Sequence, residues 1–426
     1  MYGVLRFQAA APVPVMRSFW GSVLVAAVLC VGIGCAEESS PPAPSPESLA
    51  PPVGPESGQP RLQTGPTGAV WLSWVDPLED GRHALRYATL EDTTWSDPET
   101  VAAGADWFVN WADLPSVRPL PDGRVAAHYL ESNGPSTLAY AVRVVQGTGD
   151  GAWRPPVTPH DDGTPTEHGF VSLLPWNDGV LSVWLDGRRM SGDGHGHGEM
   201  TLRAAVIDST GAVEQGTVLD ARTCECCATD AVRADGEALV AYRDRSADEV
   251  RDIALTRYDG TQWSDPTRLH ADGWQIEGCP VNGPALAARG ERVAVAWFTA
   301  AGGKPRVKAA LSEDGGRHFA DPVVVADGPT EGRVDVALLD DGTAAVSWLE
   351  QHDDRGRVRA RVVSADRATA PPTTIATVPS TARGVGFPKI VRDRDRLYAA
   401  WVGPDSTETM SVQMARLPVT AVRAGP

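Results

Sequence analysis

The chain is short of positive charge: 38 Lys and Arg stand against 55 Asp and Glu, a formal net charge of −17. That balance argues against nucleic acid and anionic membrane surfaces as partners and otherwise serves solubility. No stretch has helical periodicity. Beyond one apolar run near the start, no segment is long enough to span a bilayer. Cysteine is scarce at six, and two of the six, Cys30 and Cys35, fall in that first run or at its end.

The start reads as an address rather than as fold. Met16-Arg17 followed by the apolar run Phe19 to Ile33 has the form of a secretory signal, with Met16 as the expected start of translation. The run ends at Gly34-Cys35-Ala36, which resembles a bacterial lipobox, although Gly32 stands where Leu is usual. An ordinary cleaved signal or an uncleaved anchor is the alternative, and each of these readings exports the protein. Residues 36–60, rich in Pro, Ser and Glu, cannot bury enough surface to order themselves and read as a tether. A lipid on Cys35 would then hold a monomeric body at the cell envelope, on the outer membrane or a periplasmic face.

What is present in quantity is a repeat. In Gly179 to Arg188, Val180, Ser182 and Trp184 alternate with Leu181, Val183 and Leu185, the pattern of a strand buried on both faces. The aromatic-ending strand recurs at Trp74, Tyr129, Trp184, Tyr242, Trp297, Trp348 and Trp401, with gaps of 55, 55, 58, 55, 51 and 53 residues. Length alone allows two or three domains, but near-equal spacing makes one repeat array. Asp-Gly turns (Asp122-Gly123, Asp341-Gly342) and Asn177-Asp178-Gly179 precede the anchor strands as hairpin signals. A third strand follows each anchor, as at Arg306 to Ser312. A fourth opens on an aromatic-x-x-Pro phrase, as at Trp263-Ser-Asp-Pro266. Four antiparallel strands repeated seven times make an all-β propeller over residues 61–417, with a tail at 418–426. Six blades are expected if a terminal copy lies outside the ring. The seventh repeat lacks a clear fourth strand, which residues just after the tether can supply.

Ser312-Glu-Asp-Gly-Gly-Arg-His-Phe319 fits S-x-D-x-G-x-x-F, and degenerate forms occupy the same place at Leu90 to Trp95 and Tyr258 to Trp263. On these residues the chain resembles the sialidase-like (Asp-box) β-propeller superfamily, in particular bacterial exported lipoproteins described as exo-α-sialidases. The resemblance places the box on the face opposite the active site. It thereby puts function at the other channel mouth, where chain enters the first strands and leaves the second. No Arg-Ile-Pro phrase opens the propeller, so the first carboxylate-binding arginine of that family has no counterpart by motif.

Counting back 15 to 18 residues from the anchors of blades two to six gives Asp113, His168, Cys227, Cys279 and Arg333. The loops leaving the second strands add His128, Asp186, Arg188, Arg243, Asp244, Arg245 and Arg251. The family's chemistry implies arginines gripping a carboxylated sugar, a Tyr nucleophile with a carboxylate partner and a separate acid/base. The candidates are Arg188, Arg243, Arg245 and Arg333 for binding, with Asn282 and His128 beside them. Asp113, Glu167 and Asp186 are the candidate carboxylates, and Tyr242 is the tyrosine adjacent to the set. The bland alternatives are ion pairing between blades for the arginines and core packing for Tyr242.

Cys224, Cys226, Cys227 and Cys279 meet at the same mouth. Disulfides are the default in an exported chain, yet adjacent and C-x-C pairings are awkward. A thiolate site for copper or zinc with His168 as a further ligand, or a redox-active thiol pair, are the alternatives. His195 and His197, in a glycine-rich loop between Met190 and Met200, read as a solvated loop or a copper-capture arm. Two functions survive: a tethered glycan-binding or glycan-hydrolysing protein of exo-α-sialidase type, or a non-enzymatic metal-binding or assembly lipoprotein.

Overall fold

The computed structural model describes residues 45–190 and 198–425. The signal, the lipobox-like Cys35, most of the tether and the His195/His197 loop lie outside the described residues. Over the rest, seven antiparallel blades follow one another along the chain, with one 3-10 turn and one short helix (Val419–Ala424) among the described elements. None of the described helices is long and apolar enough to cross a membrane.

Each blade places its anchor on the second strand. Blade one runs Gly58–Thr64, Val70–Pro77, His83–Glu91 and Glu99–Gly104, and blade three His168–Trp176, Gly179–Met190, Gly198–Ile207 and Thr217–Thr223. In blade two, Ser116–Pro119, Val125–Ser132 and Tyr140–Gln146 form the ladder, and bridges from Val144 to Val157 and Gly147 to Trp153 supply its outer edge. Blades four to six begin at Asp230–Ala234, Ala285–Arg289 and Thr330–Leu338, and blade seven at Gly386–Asp393.

The alternation in Val180 to Leu185 acquires its physical reason here, because the strand is sandwiched. Leu181, Val183 and Leu185 pack with Val240 and Tyr242 of blade four, while Val180 and Trp184 pack with Val142 and Val144 of blade two. All seven anchors are buried. Each large side chain removed from water contributes roughly 1.5–3 kcal/mol. The turns before the anchors use the left-handed backbone that Gly and Asn tolerate, with φ of 86° at Gly123 and 49° at Asn177.

Two boundaries move from their sequence positions. The fourth strand of blade seven is Glu47–Leu49, which pairs antiparallel with Met410–Pro418 and lies inside the stretch read as tether. Low apolar content did not prevent ordering because this strand borrows an existing edge. Arg416 clamps Glu47 at 2.7 Å, and Leu49 packs into the cluster of Leu72 and Trp74. The tail also packs: Val419, Ala421 and Val422 are buried.

Deleting the chain up to Ala50 removes a few edge hydrogen bonds at about 1 kcal/mol each and exposes a strand edge. A lower denaturant midpoint, with a stability loss of about 2–3 kcal/mol or new self-association on gel filtration, is expected. An unchanged midpoint and a monomeric profile would contradict the closure.

Candidate functional site

The first strands line the central channel, and the loops leading into them meet at one mouth. Neighbouring first strands are held by a recurrent contact. Asp113 Oδ2 accepts the Phe170 backbone N–H at 2.8 Å, and Asp230 Oδ2 that of Leu286 at 2.7 Å. Asn282 Oδ1 accepts that of Arg333 at 2.7 Å, and Asp335 Oδ2 that of Ile390 at 2.8 Å. These polar groups sit where the repeat brings one blade against the next.

At the mouth between blades two and three the Tyr140 hydroxyl donates to Glu167 Oε1 at 2.7 Å, and Asp113 lies beside the same phenol. A Cβ on Gly169 would stand 2.1 Å from Asp113 Oδ2 and 2.7 Å from the Tyr140 ring, so the approach requires glycine. Burial pushes Asp113 up to about 7, against the Phe170 N–H and Arg61. Burial, opposed by the Tyr140 hydrogen bond and reinforced by Asp113, Glu225 and Cys224, pushes Glu167 up to about 8. Tyr140 stays a neutral phenol because burial and both carboxylates raise it well above its usual range.

The tyrosine expected from sequence is elsewhere. Tyr242 is fully buried as a core anchor, and its hydroxyl donates to Asp220 at 2.6 Å. Tyr140 meets Glu167 and Asp113 instead; it begins a third strand with no motif to mark it.

The four predicted arginines are occupied within the protein. Arg243 donates to the carbonyls of Asn282, Arg251 and Phe298 at 2.6–2.8 Å and lies over Trp274. Arg333 donates to those of Thr381, Ala382 and Val385 and lies over Trp111. Arg188 is held by Asp186 at 2.7 Å and by Asp161 and Asp162, and Arg245 by Glu249 at 2.7 Å and by Glu225. Asp186 is itself fully buried and also accepts Trp184 Nε1, so it serves this ion-pair core rather than an open cleft. Asn282 serves the blade contact above. His128 is buried with Nδ1 on Ser116 Oγ at 2.8 Å, and burial with Arg61 and Arg118 nearby keeps it neutral.

Unoccupied positive charge lies deeper, in the channel. A cavity of about 240 Å³ is lined by Arg61, Arg118 and Lys389 together with Asp230 and Asp335. Nε of Arg61 and of Arg118 is buried without a partner among the described residues. No carboxylate stands within ion-pair distance of any of the three among the described residues. Burial and Arg61 draw Arg118 down to about 10, so it remains charged at neutral pH. These residues were missed because they lie 11 to 13 residues before the anchors, one turn of the count deeper than the mouth. Beside them, Trp111, Phe387, Leu114, Met410 and Gln59 line a more apolar cleft of about 590 Å³. Gln59 Oε1 is buried there without a partner.

The cysteines and His168 do not form one ligand set. Cys226 is bridged to Cys279 with 5.8 Å between Cα atoms, while Cys224 and Cys227 are free and buried. The sulfurs of Cys224, Cys226 and Cys227 all lie within 4.8 Å of one another. Burial raises the Cys224 thiol, but hydrogen bonding from Cys227 and the Cys226 backbone, with Arg243 and Arg251, outweighs it and brings Cys224 to about 7. His168 instead stacks on His160 at 3.8 Å, with Asp162 at 3.2 Å. Its Nδ1 faces the carbonyls of Thr166 and Tyr140, and its Nε2 faces Asp162 and Asp186. Arg188 on both carboxylates makes this a salt-bridged core.

No protein-family model matches the chain, and no curated protein matches it in sequence. In shape it is similar to a Dyadobacter fermentans protein of unknown function (TM-score 0.49, 16% identity, 87% of this chain and 98% of that one). It is also similar to a Penicillium chrysogenum α-L-arabinanase solved with arabinobiose (0.48, 11%, 89% and 100%). A Trypanosoma rangeli sialidase solved with the inhibitor DANA is a third (0.43, 10%, 71% and 54%).

Replacing Glu167 by Gln keeps an acceptor for Tyr140 and removes a carboxyl whose folded value is raised from 4.5 to about 8. The native state of the wild type therefore binds the extra proton, and its stability falls with pH across that window. Glu167→Gln should gain stability relative to wild type as pH rises from about 4.5 to 8, measured by denaturant unfolding; a pH-independent difference would contradict the assignment.

Proposed function

We propose that this chain is an exported, sialidase-like propeller that binds an acidic glycan at the channel mouth. The observation that carries the reading is the set Arg61, Arg118 and Lys389, three cations lining one cavity with no carboxylate paired to them. A buried cation without a partner is costly, and a carboxylate or sulfate entering the channel offsets that cost through charge-assisted hydrogen bonds. The adjoining cleft of Trp111 and Phe387 offers apolar surface to the sugar rings. The arginines first assigned to this task act as struts, so the acidic group is read deeper in the channel than the sequence count put it.

Tyr140, Glu167 and Asp113 form the chemical part of the site. Once Glu167 has given its proton to solvent, near its raised value of about 8, it and the Tyr140 hydroxyl have the composition that a Tyr nucleophile and its base require. Asp113, at about 7 and so partly protonated near neutral pH, can donate a proton. The closed burial of Tyr140 in the free protein favours binding as the primary activity.

Calorimetric titration with 3′-sialyllactose and with lactose tests this. The sialylated sugar should bind at least tenfold tighter, and Arg118→Gln should remove most of that difference, about 1.4 kcal/mol or more. Equal affinities, or an unaffected Arg118→Gln, would overturn the reading. Release of a fluorogenic sialoside, lost in Tyr140→Phe, would add hydrolysis to binding.

The same proposal places the body at a membrane through a lipid on Cys35. Cys35→Ser should move the protein from the membrane to the soluble envelope fraction, and persistence in the membrane fraction would exclude that anchor.

A further inference from the structure

The four cysteines are arranged by depth. Cys279 is exposed, Cys226 is half-buried, and Cys224 and Cys227 are fully buried beneath them. The bridge joins the two outer residues, Cys226 of the loop leading into blade four and Cys279 of the loop leading into blade five. The two thiols lie inside, and the sulfurs of Cys224, Cys226 and Cys227 are mutually within 4.8 Å. An ordinary structural staple has no need of a second, reduced pair against it.

The surroundings distinguish the two inner thiols. Arg251 Nη1 points at Cys224 Sγ from 3.5 Å, and Arg251 is itself fixed by Glu225 and by Glu249 at 2.9 Å. A guanidinium so held favours the thiolate, which is the attacking species in exchange. Cys227, one helical-turn spacing along in C-x-x-C, stands behind it with no such cation in hydrogen-bond contact among the described residues.

We infer that these four cysteines form a thiol–disulfide relay in which the buried Cys224/Cys227 dithiol passes two electrons through the exposed Cys226–Cys279 bridge to a small external disulfide. In the first step the Cys224 thiolate attacks Cys226 Sγ. The Cys224–Cys226 bond forms, the Cys226–Cys279 bond breaks, and Cys279 leaves as a thiolate that takes a proton from solvent. The resulting C-x-C ring is strained, so it is short-lived. Cys227 then gives up its proton and attacks Cys224 Sγ, forming Cys224–Cys227 and releasing Cys226 as a thiol. One disulfide and two thiols have become one disulfide and two thiols, with the reactive pair now outside. That pair reduces an external disulfide such as oxidised glutathione, yielding two molecules of thiol and restoring the Cys226–Cys279 bridge. The full cycle leaves both cysteine pairs oxidised. The inner thiols are too buried to meet such a reagent directly, which is why the outer bridge is the port.

Cys227→Ser separates this from two inert thiols beside a staple, because it stops the relay after the first step. Native full-length protein would be alkylated with iodoacetamide and peptide-mapped. The relay predicts label on Cys279, a residue bridged at rest, in Cys227→Ser, and none on Cys279 in Cys224→Ser. In wild type, oxidised glutathione should lower the mass by two hydrogens and produce a Cys224–Cys227 linked peptide without unfolding. Circular dichroism and thermal melts establish that both variants are folded. Cys279 unlabelled in folded Cys227→Ser, inner thiols reacting only after denaturation, or a metal retained by both inner thiols in native mass spectra would each overturn the relay.

Discussion

The contact on which this ring depends is a side-chain acceptor on, or just before, one first strand that takes the backbone N–H of the next. It recurs from Asp113 to Phe170, Asp230 to Leu286, Asn282 to Arg333 and Asp335 to Ile390, at separations of 57, 56, 51 and 55 residues. Those separations are the repeat length itself. An insertion within a blade has to be absorbed in its outer loops, since a shift at the first strand would leave a buried N–H without a partner, at a cost of about 1–3 kcal/mol.

The same contact shapes the electrostatics of the channel. Three of the four acceptors are carboxylates, and two of these line the cavity, where each already accepts a backbone hydrogen bond. They oppose the lowering that burial imposes on Arg118 and Lys389 but form no close pair with them. The channel is thereby left with directed positive charge that the fold does not consume. By contrast, the conspicuous arginines of the outer mouth are fully spent: Arg243 joins the carbonyls of Asn282, Arg251 and Phe298, and Arg333 ties the first strand of blade six to the loop leading into blade seven. A planar group with five donors suits such bracing.

How far the sequence could be read follows from which quantities repeat. Anchor spacing, hairpin turns and the closing strand's approximate place are local or periodic, and they define seven blades. Glu47–Leu49 was obscured because its order comes from the edge it joins rather than from its composition. Of the residues expected at one mouth, Asp113 and Glu167 do meet, at Tyr140. Their tyrosine was not legible: Tyr140 reaches Asp113 and Glu167 from the third strand of blade two, and only packing brings it in, whereas Tyr242 stands out in the sequence through its position as an anchor. Arg61, Arg118 and Lys389 do carry a periodic signal, but at an offset of 11 to 13 residues that a search confined to the loops passes over. The cysteines were recognised as a group; their division into an exposed bridge and a buried dithiol depends on depth, which spacing does not encode.

The central claim is that the channel's unpaired cations receive an acidic group from a ligand at the mouth. The most direct measurement is a crystal structure of the protein soaked with N-acetylneuraminic acid. The account predicts carboxylate density within hydrogen-bonding distance of Arg61, Arg118 and Lys389, with the sugar extending toward Trp111 and Phe387. A ligand bound only on the opposite face, or a channel without ligand at concentrations that saturate binding in solution, would contradict it.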